Sequence, residues 1–344
     1  MSRRHPFLQL LGARIREWMR EPEVLFWVFG FPILLAVGLG IAFRNKPAEE
    51  VFAGVLEGPG SEEVVRALSP SDGYHVVVLT PEQAAQSLRL GKVAIVVVPG
   101  SPREYRYDPT RPESVIARHK VDDALQRAAG RQDPVPVHES LVTEPGARYI
   151  DFLIPGLLGM NIMSGGMWGI GFVIVDMRSR KLLKRLLATP MRKSHFLAAM
   201  MTSRVLLVFL EMALLLAFGR IAFGMVLQGR LWLVTLLCVL GAFVFSGLGL
   251  LVASRARKIE TVSGLMNLVM LPMFVLSGIF FSSERFPPLV QPLVKALPLT
   301  ALNDALRAVI LEGSDLGSQL GRIAVLVLWG VASFVLALRL FRWT

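Results

Sequence analysis

The sequence predicts an α-helical polytopic membrane protein with six transmembrane helices, an N-terminal interfacial amphipathic helix and a small α/β extracytoplasmic domain. Three observations lead there. Hydrophobic residues make up 53% of the 344 and charged residues only 18%, and the mean hydropathy is +0.54. The apolar residues come in long runs, and an α-helix needs roughly 20 of them to cross the ~30 Å hydrocarbon core. One polar stretch, residues 44–149, interrupts the runs with near-balanced charge and short β-branched segments.

The net charge of +11 would suit nucleic acid. The basic residues, however, sit beside the apolar runs, as they do in cytoplasmic loops, so no nucleic-acid partner is expected. Membrane lipids are the expected surroundings.

Residues 1–23 open the chain. Phe7, Leu11, Ile15, Trp18 and Met19 recur at helical spacing, with Arg14, Arg16, Glu17 and Arg20 on the more polar side. That pattern reads as a helix lying in the cytoplasmic interface. A plain cytoplasmic tail is the alternative. The first span covers residues 24–43. It is too long for a signal-peptide core of about 7–15 residues and reads as a retained anchor. Pro32 inside it requires a neighbour to satisfy the carbonyl it frees.

In residues 44–149, Val51–Leu56, Tyr74–Leu79 and Val93–Val98 read as buried strands. Thr80, Pro81 and Gln83 form a helix start, with a cap, a proline at the first position and a capping-box glutamine. Gly91 stops that helix. Further helices are expected over 61–68 and 112–129. The order β-α-β-α-β implies a small layered domain.

Residues 150–344 hold five further apolar segments, at about 152–175, 197–218, 231–253, 261–281 and 320–340. Residues 284–318, with Pro287, Pro288, Pro292 and Pro298, read as short interfacial helices or a re-entrant hairpin. Six spans put the N-terminus, 176–195, 254–260 and the C-terminus on one side. That side holds most of the basic residues. The opposite short loops hold only Arg220, Arg230, Arg285, Lys295 and Arg307. The basic side is the cytoplasm. Both termini are then expected in the cytoplasm of a cell bounded by an inner membrane, with the domain at 44–149 outside.

No phosphate-binding Gly-x-x-x-x-Gly-Lys-Ser/Thr loop, His-Glu-x-x-His motif or Gly-x-Ser-x-Gly elbow occurs. The lone Cys238 lies in an apolar run, and the five histidines are scattered through polar regions. No catalytic residue, metal or cofactor is expected, and the chain is not expected to be an enzyme. Glu211 is the clear acid within a span. It either pairs internally, with Arg204, or contributes a cation site.

The loop after the second span is the informative one. From Asp176 to Pro190 it combines a stripe of Leu182, Leu183, Leu186 and Leu187 with Arg180, Lys181, Lys184 and Arg185. This reads as a helix over 176–190, stopped by Pro190. It could float on anionic lipid or insert its leucines into a soluble partner.

Together with this loop, Leu271-Pro272, Ser277-Gly278, Phe286-Pro287, Pro298-Leu299-Thr300 and Asp304-Ala305-Leu306-Arg307 follow one another around a six-span layout. In that order the chain resembles permease subunits of type-2 ABC exporters, in the branch with a large domain between the first two spans. The resemblance implies that Leu186-Leu187-Ala188-Thr189-Pro190 belongs to a coupling helix that docks on a separate ATPase subunit. Lys181, Arg185, Leu186, Leu187, Thr189 and Pro190 would form the contact set. Leu11, Arg14, Ile15 and Trp18 would belong to the interfacial helix that moves with it. Two ATPase subunits and a second permease copy, as a homodimer, would complete the assembly. The same resemblance places the substrate path on spans two and five. Its candidate residues are Asn161, Met163, Ser164, Met167, Asn267 and Met270. The methionines equally suit an ordinary core, and the glycines of span two equally suit close helix packing.

The expected function is export of a hydrophobic or amphiphilic substrate, such as a drug, lipid or lipid-linked molecule. Sodium efflux, and a membrane-anchored sensor or scaffold whose outer domain binds an envelope partner, are the alternatives.

Overall fold

In lipid, a backbone has only its own groups to hydrogen-bond, so apolar runs close into helices. The computed structural model describes residues 6–42, 50–69, 73–132, 134, 135, 138, 148–188 and 193–341. Among them, six helices are long and apolar enough to cross a membrane, and the chain is a multi-pass helical membrane protein. It folds as two compact units: residues 1–44 with 143–344, and residues 45–142.

The first unit opens with α1 (Pro6–Arg20), amphipathic as expected. The first span, α2 (Pro22–Ala42), follows after Glu21. One turn of α2, Phe26–Gly30, is a π-helix lying just before Pro32. Pro32 has no N–H, so the carbonyl four residues earlier, that of Val28, loses its usual donor.

The inserted unit contains β1 (Val51–Leu56), α3 (Ser61–Leu68), β2 (Tyr74–Leu79), α4 (Pro81–Arg89), β3 (Ile95–Val98), β4 (Glu104–Tyr107) and α5 (Pro112–Ala128). The described sheet has the order β2-β1-β3-β4. β1 is parallel to β2 and β3, and β4 is antiparallel to β3. Thr80 and Gln83 make the reciprocal capping box that starts α4. The strand β4 is an addition to the sequence reading. Its Glu-Tyr-Arg-Tyr run lacks β-branched residues, and its pairing with β3 makes it a strand. Val93 lies before β3, buried beside Ala84 and Val96.

The first unit resumes with α6 (Tyr149–Ser179), which carries a second π turn at Met167–Phe172. Then come α7 (Leu182–Leu187), α8 (Lys193–Phe223), α9 (Leu231–Ala253) and α10 (Ile259–Leu276). After α10, Gly278 takes a left-handed conformation, and the chain continues through a 3₁₀ turn to α11 (Gln291–Ala296) and α12 (Pro298–Glu312). The last span is α13 (Leu316–Leu340). α6, α9 and α12 are buried along most of their length and form the apolar core, while little of α2, α10 and α13 is buried. Small residues of α6 serve that core, since Gly166 and Gly171 lie directly against the backbone of α9.

The helix expected over 176–190 is not continuous. α6 runs to Ser179, and Lys181 then turns through a left-handed conformation at φ 58°. Only the six residues of α7 follow. Thr189 and Pro190 lie outside the described residues.

Candidate transport cavity

The helices α1, α2, α6, α8 and α10 surround a cavity of about 1760 Å³. Its walls are largely aromatic and aliphatic, with Trp18, Trp27, Phe31, Trp168, Phe196 and Phe274 among them. Glu17, Glu21, Glu23, Asp176 and Arg180 line it near the α1–α2 junction and the end of α6. Of the path residues expected from sequence, Asn161, Ser164, Asn267 and Met270 line this cavity. Met163 and Met167 do not, being 0% and 1% exposed in the packed core. Met163 lies about 200° around the helix from Asn161, at ~100° per residue. Met167 begins the π turn, where the face of α6 rotates.

Polar side chains in the cavity wall are engaged with one another. Arg204 and Glu211, both on α8 and nearly wholly buried, form an ion pair with Nη1 donating to Oε1 at 2.6 Å and Nη2 to Oε2 at 3.2 Å. Arg204 Nη2 also donates to the Asn161 carbonyl at 3.1 Å. Asn161 Nδ2 in turn donates to the Val28 carbonyl at 2.9 Å. That is the acceptor freed by Pro32, so the neighbour this proline requires is Asn161. The chain of bonds ties α2 to α6 and α6 to α8. Gly165 makes room for it, because a Cβ there would land on the Arg204 guanidinium.

Arg14 corrects the sequence reading, which placed it on the polar side of the first helix. Its side chain is only 13% exposed. It pairs with Glu17 at 2.7 Å, and its Nη2 donates to the Gly169 carbonyl at 3.1 Å. The cause is the π turn of α6. Val173 N–H bonds to Ile170 rather than to Gly169, which leaves the Gly169 carbonyl available to a side chain. Leu11, Ile15 and Trp18 are half-buried on the same helix, and Trp18 reaches the cavity.

The leucine stripe of α7 also differs from expectation. Leu183 is buried, Leu186 packs against the core of the same unit, and both Leu182 and Leu186 line the cavity. Lys181, Lys184 and Arg185 are exposed. The stripe therefore turns inward and leaves a basic outer face. The side chain of Leu187 lies outside the described set.

Two cations that the sequence places in loops are held by backbone carbonyls, Arg178 half-buried and Arg307 buried. Arg178 donates to the Ala253 carbonyl at 2.9 Å and to that of Ala256, capping the end of α9. Arg307 on α12 is 8% exposed. It donates to the Phe152 carbonyl at 3.2 Å, to the Ile279 carbonyl at 3.4 Å and to the Gly278 carbonyl, and it lies 3.6 Å over the Phe152 ring. Burial draws its guanidinium down to about 10, so it stays cationic at neutral pH. Its neighbour Asn303 donates to the Ser277 carbonyl at 2.9 Å. The bonds to Ser277, Gly278 and Ile279 occupy carbonyls left over where α10 ends. The signal in the sequence was a cation and an asparagine four residues apart in a helix whose only other polar residues are Thr300, Asp304 and Glu312. Among the described residues, no group of three or more His, Cys, Asp or Glu could hold a metal ion.

A multi-span helical protein with a mostly apolar cavity that carries a few polar side chains belongs among the membrane transport proteins. The family model described as ABC-2 family transporter protein matches residues 22–339. The chain belongs to that family and is a membrane transport permease. It is 26% identical over 59% of its length to ABC transporter G family member 20 of Dictyostelium discoideum, covering 28% of that protein. It is 26% identical over 51% of its length to the inner membrane transport permease YhhJ of Escherichia coli, covering 47% of it. To the inner membrane transport permease YadH of Escherichia coli it is 25% identical over 56% of its length, covering 74%. The chain thus spans less than half the length of the first two relatives.

Proposed function

We propose that this permease exports a hydrophobic or amphiphilic substrate through the cavity bounded by α1, α2, α6, α8 and α10. The cavity supports this reading, because apolar walls with a few convergent polar groups suit a molecule that is mostly apolar with a polar end. The Arg204–Glu211 pair is internally neutralised, which favours that cargo over a sodium ion: both oxygens of Glu211 accept from Arg204.

In this reading the basic outer face of α7, with Lys181, Lys184 and Arg185, meets an ATPase subunit, and Thr189 and Pro190 follow it. Two ATPase subunits and a second permease copy complete the assembly in an inner membrane, with both termini cytoplasmic and residues 45–142 outside. The segment from α11 to α12 is a re-entrant or interfacial element. Movement of α7 reaches the cavity directly, since Leu182 and Leu186 form part of its wall. Arg14 carries the movement of α1 to the π turn of α6.

The test is ATP hydrolysis by the permease co-reconstituted with its ATPase in lipid, screened against amphiphiles. Stimulation that is lost on replacing Asn267 and Ser164 by leucine, with complex assembly intact, supports the path. Stimulation unaffected by those changes overturns it. For docking, Lys184→Glu with Arg185→Glu is expected to abolish co-purification with the ATPase, and intact co-purification sinks that contact.

A further inference from the structure

The inserted unit covers the two faces of its sheet unequally. α3 and α5 pack on one face, over Val51, Ala53, Val55, Ile95 and Val97. Among the described residues the other face carries only α4, over Leu56, Leu79 and Val96. Between α4 and the β4–α5 turn a groove of about 480 Å³ remains. Small-molecule sites occupy about 300–1,000 Å³.

The floor of the groove is apolar and its rim is cationic. Leu88 and Val96 line it together with Arg89, Arg106, Arg111 and Asp108. The lining side chains carry three positive charges and one negative, a net of +2 that Glu104 beside Arg106 reduces to +1. Arg111 is held across the end of α4, its Nη2 donating to the Arg89 carbonyl at 3.5 Å and its Nε 3.5 Å from Asp108. Gly91, at φ +71°, makes this possible, because a Cβ there would come within 2.9 Å of Arg111 Nη1. Among the described residues Arg106 uses only Nε, on Glu104 at 2.9 Å. The Arg89 guanidinium has no partner among the described residues. Guanidinium N–H groups are therefore left over beside an apolar floor. Their fork geometry matches carboxylate and phosphate oxygens.

We propose that this groove binds a small amphiphilic anion from the aqueous phase. Its carboxylate or phosphate is held by Arg89, Arg106 and Arg111, and its apolar body lies over Leu88 and Val96. The site stands apart from the transport reading.

The experiment uses the full-length protein in nanodiscs of zwitterionic phospholipid, labelled with a photoactivatable decanoate and mapped by peptide mass spectrometry. Label is expected on residues 81–111, competed by decyl phosphate but not by decyltrimethylammonium. The combined Arg89→Gln, Arg106→Gln and Arg111→Gln variant should lose tenfold or more of it. Ala85→Trp should do the same, because Ala85 lines the groove and a larger side chain fills it without changing charge. Labelling that persists in the triple-glutamine variant, or that the cationic amphiphile competes equally well, overturns the site. Labelling kept by Ala85→Trp shows that surface charge alone collects the probe and overturns the groove. Adding anionic phospholipid to the nanodisc separates the two sources: retained label supports a soluble ligand, and full displacement overturns the aqueous one.

Discussion

Two arginines are buried in the membrane unit among the described residues, and they are stabilised in different ways. Arg204 sits mid-span on α8 and meets a carboxylate, Glu211, in a two-point pair. Arg307 sits on α12, where α10 ends, and meets carbonyl oxygens and an aromatic face. The nearest carboxylate to Arg307, Asp304, is 3.8 Å away and partly exposed. An ion pair in a low dielectric is a mutual dependence, because removing one partner strands the other as a buried charge. A cation held by backbone dipoles strands only acceptors when it is removed. The first arrangement locks two side chains of one helix against its neighbour. The second fastens three separate segments, at Phe152, Gly278–Ile279 and Arg307, through one side chain.

That contrast can be broken by substitution, and the largest effect is expected at the ion pair. Arg204→Met should destabilise the protein by about 3–5 kcal/mol, read as a loss of folded material and a lowered unfolding midpoint in detergent. Adding Glu211→Leu should recover most of the loss. A double variant as unstable as the single one would show that the pair is not the unit. Arg307→Met should cost less, about 1–3 kcal/mol for each acceptor left unsatisfied. Arg307→Lys should recover little, since an ammonium cannot fork between the carbonyls of separate segments. Asp304→Asn should shift the midpoint by no more than an exposed pair does, about 0–1 kcal/mol. If Asp304→Asn matches Arg307→Met, the distinction drawn between the two arginines is wrong.

Smaller effects sharpen the geometry. Gly165→Ala pushes a methyl group into the Arg204 guanidinium and should cost about 1–3 kcal/mol. Gly169→Ala, one turn along α6, meets nothing within 4 Å and should be neutral or slightly stabilising. Equal thermal shifts for the two alanine variants would contradict the placement of Arg204. Asn161→Leu removes one interhelical hydrogen bond, for which membrane proteins lose about 0.6 kcal/mol on average. The same change made together with Pro32→Ala should cost less than the two changes apart, because alanine returns a backbone donor to Val28.

Much of the architecture was legible because it follows from local rules. Apolar run length marked the spans, and Thr80, Pro81 and Gln83 marked the start of α4, since those signals depend on residues close in sequence. The strand β4 was not legible, because its residues become a strand only by pairing with β3. Around the cavity, Asn161 was legible as a polar side chain that needed a partner, and Pro32 as a residue that would need one. Nothing local said that the Asn161 amide would serve the Val28 carbonyl, which Pro32 frees, across 133 positions. Arg14 was misplaced for a related reason: helical periodicity assigns a face, but a carbonyl exposed by a π turn on another helix can draw a cation to the apolar side. Leu186 looked available for a partner because its stripe was amphipathic, yet the bend at Lys181 turned it inward.

The sequence by itself determined that this chain crosses a membrane in helices and carries a small α/β unit after the first span. Hydrophobicity and backbone satisfaction act on contiguous residues, so they can be read along one line. Only the tertiary structure decided which polar groups meet in the low-dielectric interior: Arg204 with Glu211, Asn161 with Val28, Arg307 with the end of α10, and Arg14 with Gly169. Those pairings are set by which helices lie side by side and by how two π turns and one proline redirect their carbonyls, and that information is not contained in any single segment.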